Sequence, residues 1–296
     1  MYHILINGQK TDERTEEKLK TVMSVFAVAG KELTVHRTQR PGHATEIVRE
    51  LTSDGKFAHL IAMGGDGTLH EVLNGIADTE NCTLGLIPIG TGNDFATATG
   101  IPFGVKEAAE NIVFRAPVAI DYIELDSGLR SINAVGMGID VDVLKHVYDN
   151  NMTGKNKYLK AFIKCLRTYR SIKVKASWDG GEEKIYDGMI ACLGNGRQIG
   201  GGIMLFPDAK IDDGYMDLIV LNYLSRFKTL LAFIKLTAGK VNKIKDVTHV
   251  RCKTASLIPV DGDTAIQAEG EIYENHSLKA RIVTGKLKFY LPRTEE

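Results

Sequence analysis

Apolar runs and helix-period segments alternate along the first third of the chain. Short apolar runs predict strands and segments with apolar residues at helical spacing predict helices, in the order strand 4–6, helix 16–28, strand 33–38, helix 43–51, strand 57–63, helix 69–77 and strand 84–89. This order predicts a mostly parallel sheet covered by helices on both faces. Ligands of such sheets bind beyond the carboxyl ends of the strands.

From about Pro117 the pattern changes to strands punctuated by Gly, Asp and Asn. The predicted strands are 118–125, 185–193, 215–221, 247–252 and 264–268, and helical periodicity is confined to segments near 158–171 and 225–237. A chain of 296 residues also exceeds the size at which one hydrophobic core usually stops growing. We therefore expect an α/β domain followed by a β-rich second domain.

Charge balance, cysteine spacing and hydropathy argue against several classes of function. Lys plus Arg equals Asp plus Glu at 37 each, so no whole-chain field attracts nucleic acid, and no nucleic-acid partner is expected. The four cysteines are widely spaced and form neither a CxxC pair nor a zinc-type cluster. The first residues lack the pattern of a signal peptide, and no run of about 18 apolar residues occurs. The expectation is a cytoplasmic protein, soluble or peripherally bound to a membrane.

A glycine-rich turn, Gly64-Gly65-Asp66-Gly67-Thr68, lies between a predicted strand and a predicted helix. Its glycines are expected to permit positive φ and to let a polyanion approach backbone N–H groups, while the helix N-terminus adds partial positive charge. Asp66 is predicted either to act in the site or to cap the helix. The T-x-x-E spacing of Thr68 and Glu71 also fits a capping box, which needs no ligand.

A second glycine turn, Gly90-Thr91-Gly92-Asn93-Asp94-Phe95, follows the next predicted strand at the same edge of the sheet. Two adjacent turns of this kind, each with a carboxylate, favour one shared phosphate site over two structural turns. The chain lacks GxxxxGK[ST], GxGxxG, GxSxG, HExxH and the protein-kinase motif set, so the sites that these motifs build are excluded.

Four segments together resemble the successive signatures of the diacylglycerol kinase catalytic-domain family. They are GGDGTLHEVLNG at 64–75, PIGTGNDFA at 88–96, NAVGMGID at 133–140 and NGRQIGGGIMLFPDAKIDDGYMDL at 195–218. The family includes bacterial soluble diacylglycerol kinases and related lipid kinases, sphingosine kinases and ceramide kinases. The resemblance implies phosphoryl transfer from ATP to a lipid hydroxyl, with diacylglycerol as the first candidate acceptor, and it does not specify the lipid.

The resemblance also implies a fold and its domains. We expect an α/β chain with an N-terminal parallel-sheet nucleotide-binding domain and a C-terminal β-rich sandwich domain. The ATP-binding domain would comprise residues 1–121 with a C-terminal return at 286–296, and the lipid domain would comprise residues 122–285. The acceptor would bind in the second domain, and domain closure would bring its hydroxyl to the nucleotide.

The site residues that the resemblance implies fall into three sets. The nucleotide contacts are Asn7, Thr38, Gly64, Gly65, Asp66, Gly67, Thr68, Glu71, Thr91, Gly92, Asn93 and Asp94. Asp66 and Asp94 would also face the catalytic Mg²⁺, and a structural magnesium loop would use Lys210, Asp213 and Tyr215. Glu269, or else Asp66, would take the proton of the acceptor hydroxyl.

This chain departs from the family pattern at two places. The family's first strand usually ends in Asn-Pro, whereas this chain has Asn7-Gly8-Gln9-Lys10. The family's Asp-Gly-Glu, whose aspartate is proposed as the general base, is Glu269-Gly270-Glu271 here. Glutamate keeps the carboxylate and is one methylene longer, so the swap could be tolerated, retune the substrate or weaken activity. Asp261-Gly262-Asp263 resembles the same motif locally and is interpreted as a hairpin turn.

Between Asn150 and Trp178 the chain has eight Lys and Arg residues, Lys155 among them, and no acid. One helical stripe of basic residues adjoins an apolar stripe, with Lys157, Lys160, Lys164 and Arg167 on the first and Leu159, Phe162, Ile163 and Leu166 on the second. The stretch is either an ordinary solvated helix over a core or a surface for an anionic membrane.

Two competing functions stay open. One is an NAD kinase, a family that shares GGDGT and a two-domain layout but lacks GTGNDFA and AKIDDGYMD. The other is a weakly active, membrane-binding regulatory module, which Glu269 motivates. His70 is expected only to line the glycine turn, and a homodimer is left open.

Overall fold

The computed structural model describes residues 1–10, 12–154, 157–261, 265–274 and 277–292 of the chain. It divides into two compact units, unit 1 with Met1–Ile120 and Thr284–Glu296 and unit 2 with Asp121–Val283. Lys155 of the basic stretch and residues 262–264, which hold parts of the predicted hairpin turn and of the last predicted strand, lie outside the described residues. The functions assigned to the two expected domains stay predictions.

Unit 1 is built on a parallel sheet. Its strands are β1 Tyr2–Asn7, β2 Leu33–Thr38, β3 Ala58–Gly64 and β4 Cys82–Pro88, and its helices are α1 Glu13–Val28, α2 His43–Thr52, α3 Asp66–Gly75, α4 Asp94–Thr99 and α5 Val105–Phe114. The strand order is β4-β3-β1-β2, and the end of β15 (Leu278–Phe289) pairs with β4 in parallel through Lys288 and Phe289. Helix α1 packs on α5, and α2 packs on α3.

Strand β1, which lies between β3 and β2, is buried on both faces. Ile4 and Ile6 lie in one core with apolar residues of α1 and α5, while Leu5 between them points to the opposite face and is also fully buried. Because side chains on both faces of the strand are buried, residues 4–6 are all apolar, and this apolar run predicts the strand from the sequence. Helix α1 begins after Asp12, whose carboxylate accepts a hydrogen bond from the Thr15 amide.

Unit 2 is a β-rich sandwich with helices on one side. Its strands are β5 Val118–Leu125 from Asp121 onward, β6 Arg130–Ser131, β7 Ala134–Gly138, β8 Ile172–Trp178, β9 Lys184–Gly194, β10 Met216–Asn222, β11 Val247–Cys252, β12 Thr254–Pro259, β13 Ile266–Ala268, β14 Glu271–Tyr273 and the first part of β15. The described helices are α6 Ile139–Asp149, α7 Lys157–Cys165 and α8 Arg226–Thr237. Antiparallel pairing runs β14-β13-β7-β9-β8-β12-β15, with β10 between β9 and β11.

Strands β9 and β10 separate two hydrophobic cores. In β10, Ile219 and Leu221 contact the core that α6, α7 and α8 cover, whereas Leu218 and Val220 contact the core enclosed by other strands. This alternation places apolar side chains on both faces, so residues 218–221 of the strand form an unbroken apolar run. The predicted fold class, a parallel-sheet α/β domain followed by a β-rich sandwich domain, is confirmed.

Two predictions about helices in unit 2 are wrong. The sequence pattern misses α6, because Ile139, Val141 and Val143 alternate with polar residues as in a strand. The helix predicted at 158–171 ends at Cys165, and Ile172 already begins β8.

A cluster of histidine and tyrosine rings lies among the unit 1 strands. Tyr2 stacks on His59 with ring centroids 4.3 Å apart, and the Tyr290 hydroxyl lies 2.8 Å from His59 Nδ1. His3 Nδ1 lies 3.1 Å from His36 Nε2, a hydrogen bond that is lost when both rings are protonated. Burial lowers the pKa of His59 to about 4 and also lowers the pKa values of His3 and His36.

We expect unit 1 to lose stability as the pH falls from 6.5 towards about 4. The folded-state pKa of His59 lies below its unfolded value, so the unfolded chain binds the proton first and acidification favours unfolding. His59→Phe keeps the ring stack and should reduce the acid loss by about 1 kcal/mol, after allowance for solvent screening of a half-buried ring. Urea denaturation at neutral pH and near the lower pKa measures the difference.

The control variant is His146→Gln, which changes a histidine of unit 2. It should show the same acid loss as the wild-type protein. If His59→Phe also behaved like the wild-type protein, His59 would not be the group that links protonation to unfolding.

Candidate active site

Two glycine turns lie against each other at the carboxyl-terminal edge of the unit 1 sheet. Strands β3 and β4 are parallel neighbours there, and the amides of Ile89 and Gly90 donate to the Gly64 carbonyl at 2.9 and 3.2 Å. A β-carbon on Gly90 would lie 2.5 Å from the Gly65 Cα. The two turns can therefore approach this closely only because Gly90 has no side chain.

One of the two expected reasons for the first three glycines, a positive φ, is wrong. Gly64, Gly65 and Gly67 do not have positive φ. Gly64 and Gly65 are instead required by close packing, since a β-carbon on Gly64 would overlap the Thr68 hydroxyl and one on Gly65 would lie 3.2 Å from the Gly90 Cα. In the second turn, Asn93 is left-handed, with φ 55 and ψ 46. Its side-chain amide donates to the Gly90 carbonyl at 2.9 Å, which fixes the shape of the second turn.

The Asp66 carboxylate joins the two turns. Its oxygens accept hydrogen bonds from the backbone amides of Asp94 at 3.1 Å and Phe95 at 3.2 Å. These amides open helix α4, so Asp66 caps α4 and not the helix in which it lies. A carboxylate offers about four lone-pair positions, so two such bonds leave Asp66 capacity to accept further bonds.

The capping box predicted for Thr68 and Glu71 does not form. Helix α3 begins at Asp66, and its cap position is Gly65, which has no side chain. Glu71 instead accepts a hydrogen bond from the Ala44 amide at 3.1 Å, and the Thr45 hydroxyl donates to the Glu71 carbonyl at 2.9 Å. Glu71 therefore stabilises the amino-terminal turn of α2 against α3.

The other predicted nucleotide residues lie at the same edge. Asn7 and Thr38 are partners in the parallel register of β1 and β2 and end these strands. Thr91, Gly92, Asn93 and Asp94 follow β4, and a β-carbon on Gly92 would lie 3.1 Å from an Asp66 oxygen. The structure thus brings all twelve predicted nucleotide contacts to one edge of unit 1, although nothing in it tests their binding.

The histidine next to the first turn does not line a cavity open to solvent. His70 is 2% exposed, and burial lowers its pKa to about 4. Its ring is therefore neutral at physiological pH and belongs to the packing of α3.

In unit 2, Glu269 lies in a two-residue turn between β13 and β14. Glu269 has φ 53 and Gly270 has φ 86, so both turn residues are left-handed, as in a type I′ hairpin turn. One oxygen of the Glu269 carboxylate accepts hydrogen bonds from the Ser131 hydroxyl at 2.5 Å and from the backbone N–H of Asn133 at 2.7 Å. The carboxylate is thereby held in one orientation.

The segment that holds Glu269 is itself fixed by a buried amide network. The Asn133 side chain donates to the Gln198 carbonyl at 2.7 Å, and the amides of Asn195 and Gly196 donate to the Asn133 carbonyl. The network joins the NAVGMGID segment to the NGRQIGGG segment, which are far apart in sequence. Ser131 precedes both segments, and no sequence signal predicted its contact with Glu269.

Another carboxyl group, that of Asp140, lies near Glu269 in unit 2, and the sequence analysis did not predict it. Asp140, in α6, has a buried side chain 3.9 Å from the Cys192 sulfur. Burial raises its pKa to about 7, although hydrogen bonds from the Val141 amide and the Gln267 side chain act in the opposite direction. Gln267 also accepts a hydrogen bond from the Gly270 amide, so it connects Asp140 with the turn that carries Glu269.

The loop predicted to hold a structural magnesium ion, residues 210–215, has a cation of its own. Arg251 of β11 forms an ion pair with the Asp213 carboxylate, and the Tyr215 amide donates to the other carboxylate oxygen at 3.1 Å. The guanidinium also lies over the Tyr215 ring, 4.7 Å from its centroid. Among the described residues, no three His, Cys, Asp or Glu side chains form a metal cluster.

The Arg251 guanidinium therefore already balances the charge of the Asp213 carboxylate, and this arrangement gives the predicted magnesium loop no support. The Lys210 and Tyr215 carbonyls stay predicted ligands without support from this geometry. We expect Arg251→Ala to lower the free energy of unfolding by about 1 kcal/mol, the size of an exposed ion pair with a cation–π contact.

Removing the guanidinium also leaves Asp213 available to a metal, so Mg²⁺ should raise the melting temperature of Arg251→Ala more than that of the wild-type protein. Lys253→Ala is the control, because Lys253 also lies over the Tyr215 ring, 5.3 Å from its centroid. Thermal unfolding with Mg²⁺ or EDTA measures the shifts. Equal Mg²⁺ shifts in all three proteins would show that Arg251 does not take the place of a loop metal.

Comparison with known proteins gives matches over both units. The model of the diacylglycerol kinase catalytic domain matches residues 1–125, and that of the YegS C-terminal NAD kinase beta sandwich-like domain matches residues 133–291. A probable lipid kinase YegS-like protein of Xanthomonas campestris is 31% identical over 98% of this chain and 96% of the relative. A diacylglycerol kinase of Bacillus subtilis is 34% identical over 74% of this chain and 72% of the relative.

Solved structures show the same fold. A diacylglycerol kinase structure from Bacillus anthracis has a TM-score of 0.72 and 22% identity, with 98% of this chain and 96% of that chain covered. An NAD kinase from Archaeoglobus fulgidus in complex with ATP has a TM-score of 0.53 and 13% identity, with 98% and 93% covered. The joined glycine turns thus occur in a chain that both family models match, and the chain belongs to the diacylglycerol kinase catalytic-domain family of lipid kinases.

Proposed function

We propose that this lipid kinase transfers the γ-phosphate of ATP to a hydroxyl of diacylglycerol and releases phosphatidic acid and ADP. The observation that carries the proposal is the pair of glycine turns joined by Asp66 at the carboxyl-terminal edge of a parallel sheet. The name of the Bacillus subtilis relative supports the choice of diacylglycerol.

The phosphates of ATP would bind at the two turns of unit 1. Backbone amides at the start of α3 and the partial positive charge of that helix end would face the phosphate oxygens. Asp66 and Asp94 are the residues that would hold Mg²⁺, and the acceptor capacity left on Asp66 fits this role. When bound, the ion would neutralise charge on the transferring phosphate.

The acceptor hydroxyl would lose its proton to Glu269. The bond between the acceptor oxygen and the γ-phosphorus forms, the bond to the β-phosphate oxygen breaks, and the proton goes to the carboxylate. Ser131 and Asn133 support this role, because their two hydrogen bonds hold the carboxylate in one orientation. A held carboxylate loses less entropy when it takes the proton.

The acceptor of such an enzyme resides in a bilayer, so the proposal includes peripheral association with a membrane. The basic residues along α7 support this part of the proposal. A cytoplasmic location, a role in phospholipid biosynthesis and a homodimer stay predictions.

We expect Asp66→Asn to lower diacylglycerol phosphorylation by about 10²-fold or more, because the change removes both a charge and one of two bonds between the turns. Asp78→Asn is the matched control, since Asp78 caps a short helix of unit 1 through the Glu80 amide. Purified proteins are assayed with labelled ATP, Mg²⁺ and a panel of diacylglycerol, sphingoid base, undecaprenol and NAD. A phosphorylated NAD product, or no lipid product, would overturn the proposed reaction.

We expect Glu269→Gln and Glu269→Ala to reduce turnover by about 10²- to 10⁴-fold with little change in the KM for ATP, because the proton acceptor is lost while the proposed nucleotide contacts in unit 1 are unchanged. Ser131→Ala should reduce turnover by about tenfold, since it removes one of the two bonds that orient the carboxylate. Glu274→Gln, an exposed partner of Lys145, is the control. Near-normal turnover of Glu269→Ala would exclude Glu269 as the base.

A further inference from the structure

The direction of the peptide between Glu269 and Gly270 defines the form of the turn that carries the proposed base. Pairing of β13 with β14 ends at Ala268 and Glu271, on either side of this peptide. The two favoured hairpin turns differ in its direction, since the second turn residue has positive φ in type I′ and negative φ in type II′, whereas the first has positive φ in both. With φ 86 at Gly270, the turn has the type I′ form. Contacts outside the strand pair can therefore set which form is present.

The Gln267 side chain makes such a contact. Its Oε1 accepts a hydrogen bond at 3.2 Å from the N–H of Gly270, which belongs to the peptide in question. Because an N–H can only donate, the amide oxygen of Gln267 must face Gly270, and the amide nitrogen is left to donate to another group. Gln267 is only 5% exposed, so this nitrogen needs an acceptor inside the protein.

The Asp140 carboxylate is that acceptor. Gln267 is the neighbour of Gly136 in the pairing of β13 with β7, and Gly136 is the neighbour of Cys192 in the pairing of β7 with β9. A β-carbon on Gly136 would lie 2.7 Å from Asp140 Oδ2, so the carboxylate occupies the space that a side chain of β7 would fill. From there it accepts a hydrogen bond from the Gln267 side chain.

Helix α6, which carries Asp140, contacts the same turn a second time. The Tyr148 hydroxyl donates to the Gly270 carbonyl at 2.5 Å. Tyr148 follows Asp140 by eight residues in α6, which is about 12 Å along the helix axis, and α6 packs on both β13 and β14. The helix therefore holds Gly270 at its N–H through Gln267 and at its carbonyl through Tyr148.

We infer that these three side chains position Glu269, because they hold the turn in its type I′ form and so fix the backbone from which the carboxylate reaches the acceptor. Gln267, Asp140 and Tyr148 are then positioning residues that act through Glu269. Several rotatable bonds separate the Glu269 carboxylate from its backbone, so the hydrogen bonds to the carboxylate alone do not fix both. The effect on turnover rests on the proposed role of Glu269 as the base, whereas the hold on the turn does not.

The first experiment removes each contact and measures turnover of diacylglycerol. Gln267→Met keeps the length of a buried side chain and removes both of its hydrogen bonds, so turnover should fall by about tenfold with an unchanged KM for ATP. Asp140→Leu should have a similar effect. Asp140→Asn should restore most of the turnover, because its side-chain oxygen still accepts from Gln267. Tyr148→Phe should lower turnover by about threefold or more, since it leaves the hold through Gln267 in place.

The matched control is Tyr169→Phe. It also removes a tyrosine hydroxyl that donates to a backbone carbonyl of unit 2, that of Met189 in β9 at 2.6 Å, but Met189 lies outside the turn. Its turnover should equal that of the wild-type protein. An equal loss in Tyr169→Phe and Tyr148→Phe would overturn the inference, because a general loosening of unit 2 would then explain both.

A double-variant cycle separates positioning from a general loss of structure. In a protein that already carries Glu269→Ala, Gln267→Met should cause no further loss of turnover, since a residue that acts through Glu269 has no carboxylate left to position. Losses that multiply in the double variant would overturn the inference. Wild-type turnover of Gln267→Met alone would overturn it as well.

Hydrogen exchange of the Gly270 amide, followed by NMR, tests the turn without catalysis. Gln267→Met and Asp140→Leu should each raise its exchange rate by at least about tenfold, whereas the amide of Gly128, which donates to Leu125 in another turn of unit 2, should be unaffected. If exchange rises as expected but the wild-type protein phosphorylates no lipid, the hold on the turn stands and the proposed reaction fails. If the wild-type protein phosphorylates diacylglycerol but Gln267→Met changes neither turnover nor exchange, the inference fails and the reaction stands.

Discussion

The hydrogen bonds from the amides of Asp94 and Phe95 to the Asp66 carboxylate are the constraint on which the unit 1 site depends. Parallel pairing brings β3 and β4 side by side, but pairing alone does not set the path of the chain after each strand. One carboxylate fixes both paths, because it belongs to the first turn and caps the helix that follows the second. The contact between Gly65 and Gly90 then becomes a requirement for glycine at this point.

The corresponding constraint in unit 2 is conformational. A turn with two left-handed residues favours Asn or Asp followed by Gly, whereas this chain has Glu269 in the first position. The longer side chain gives the carboxylate enough reach to meet the Ser131 hydroxyl and the Asn133 amide. These bonds offset the weaker intrinsic preference of glutamate for the turn, and they show how a carboxylate can be held there without the family aspartate.

The fold could be predicted wherever burial imposes a period on the sequence. Strands such as β1 and β10 are buried on both faces and stand out as apolar runs, whereas α6 is concealed by the strand-like alternation of its β-branched residues. Contacts between distant segments could not be predicted, and for that reason Ser131 was missed and the alternative capping-box interpretation placed Glu71 at the wrong helix end. The cap role of Asp66 was foreseen as an alternative, but its partner was not, since helix capping across two turns leaves no spacing in the sequence.

The pairing of Arg251 with Asp213 links the 210–215 loop to the sheet of unit 2. A bound ion can leave a loop while the surrounding strands stay paired, whereas a guanidinium attached to β11 stays in place as long as β11 is paired with β10. Local opening of the loop must therefore break this ion pair, which raises the free energy of opening by about 1 kcal/mol. In this way a single side chain of a paired strand restrains a surface loop.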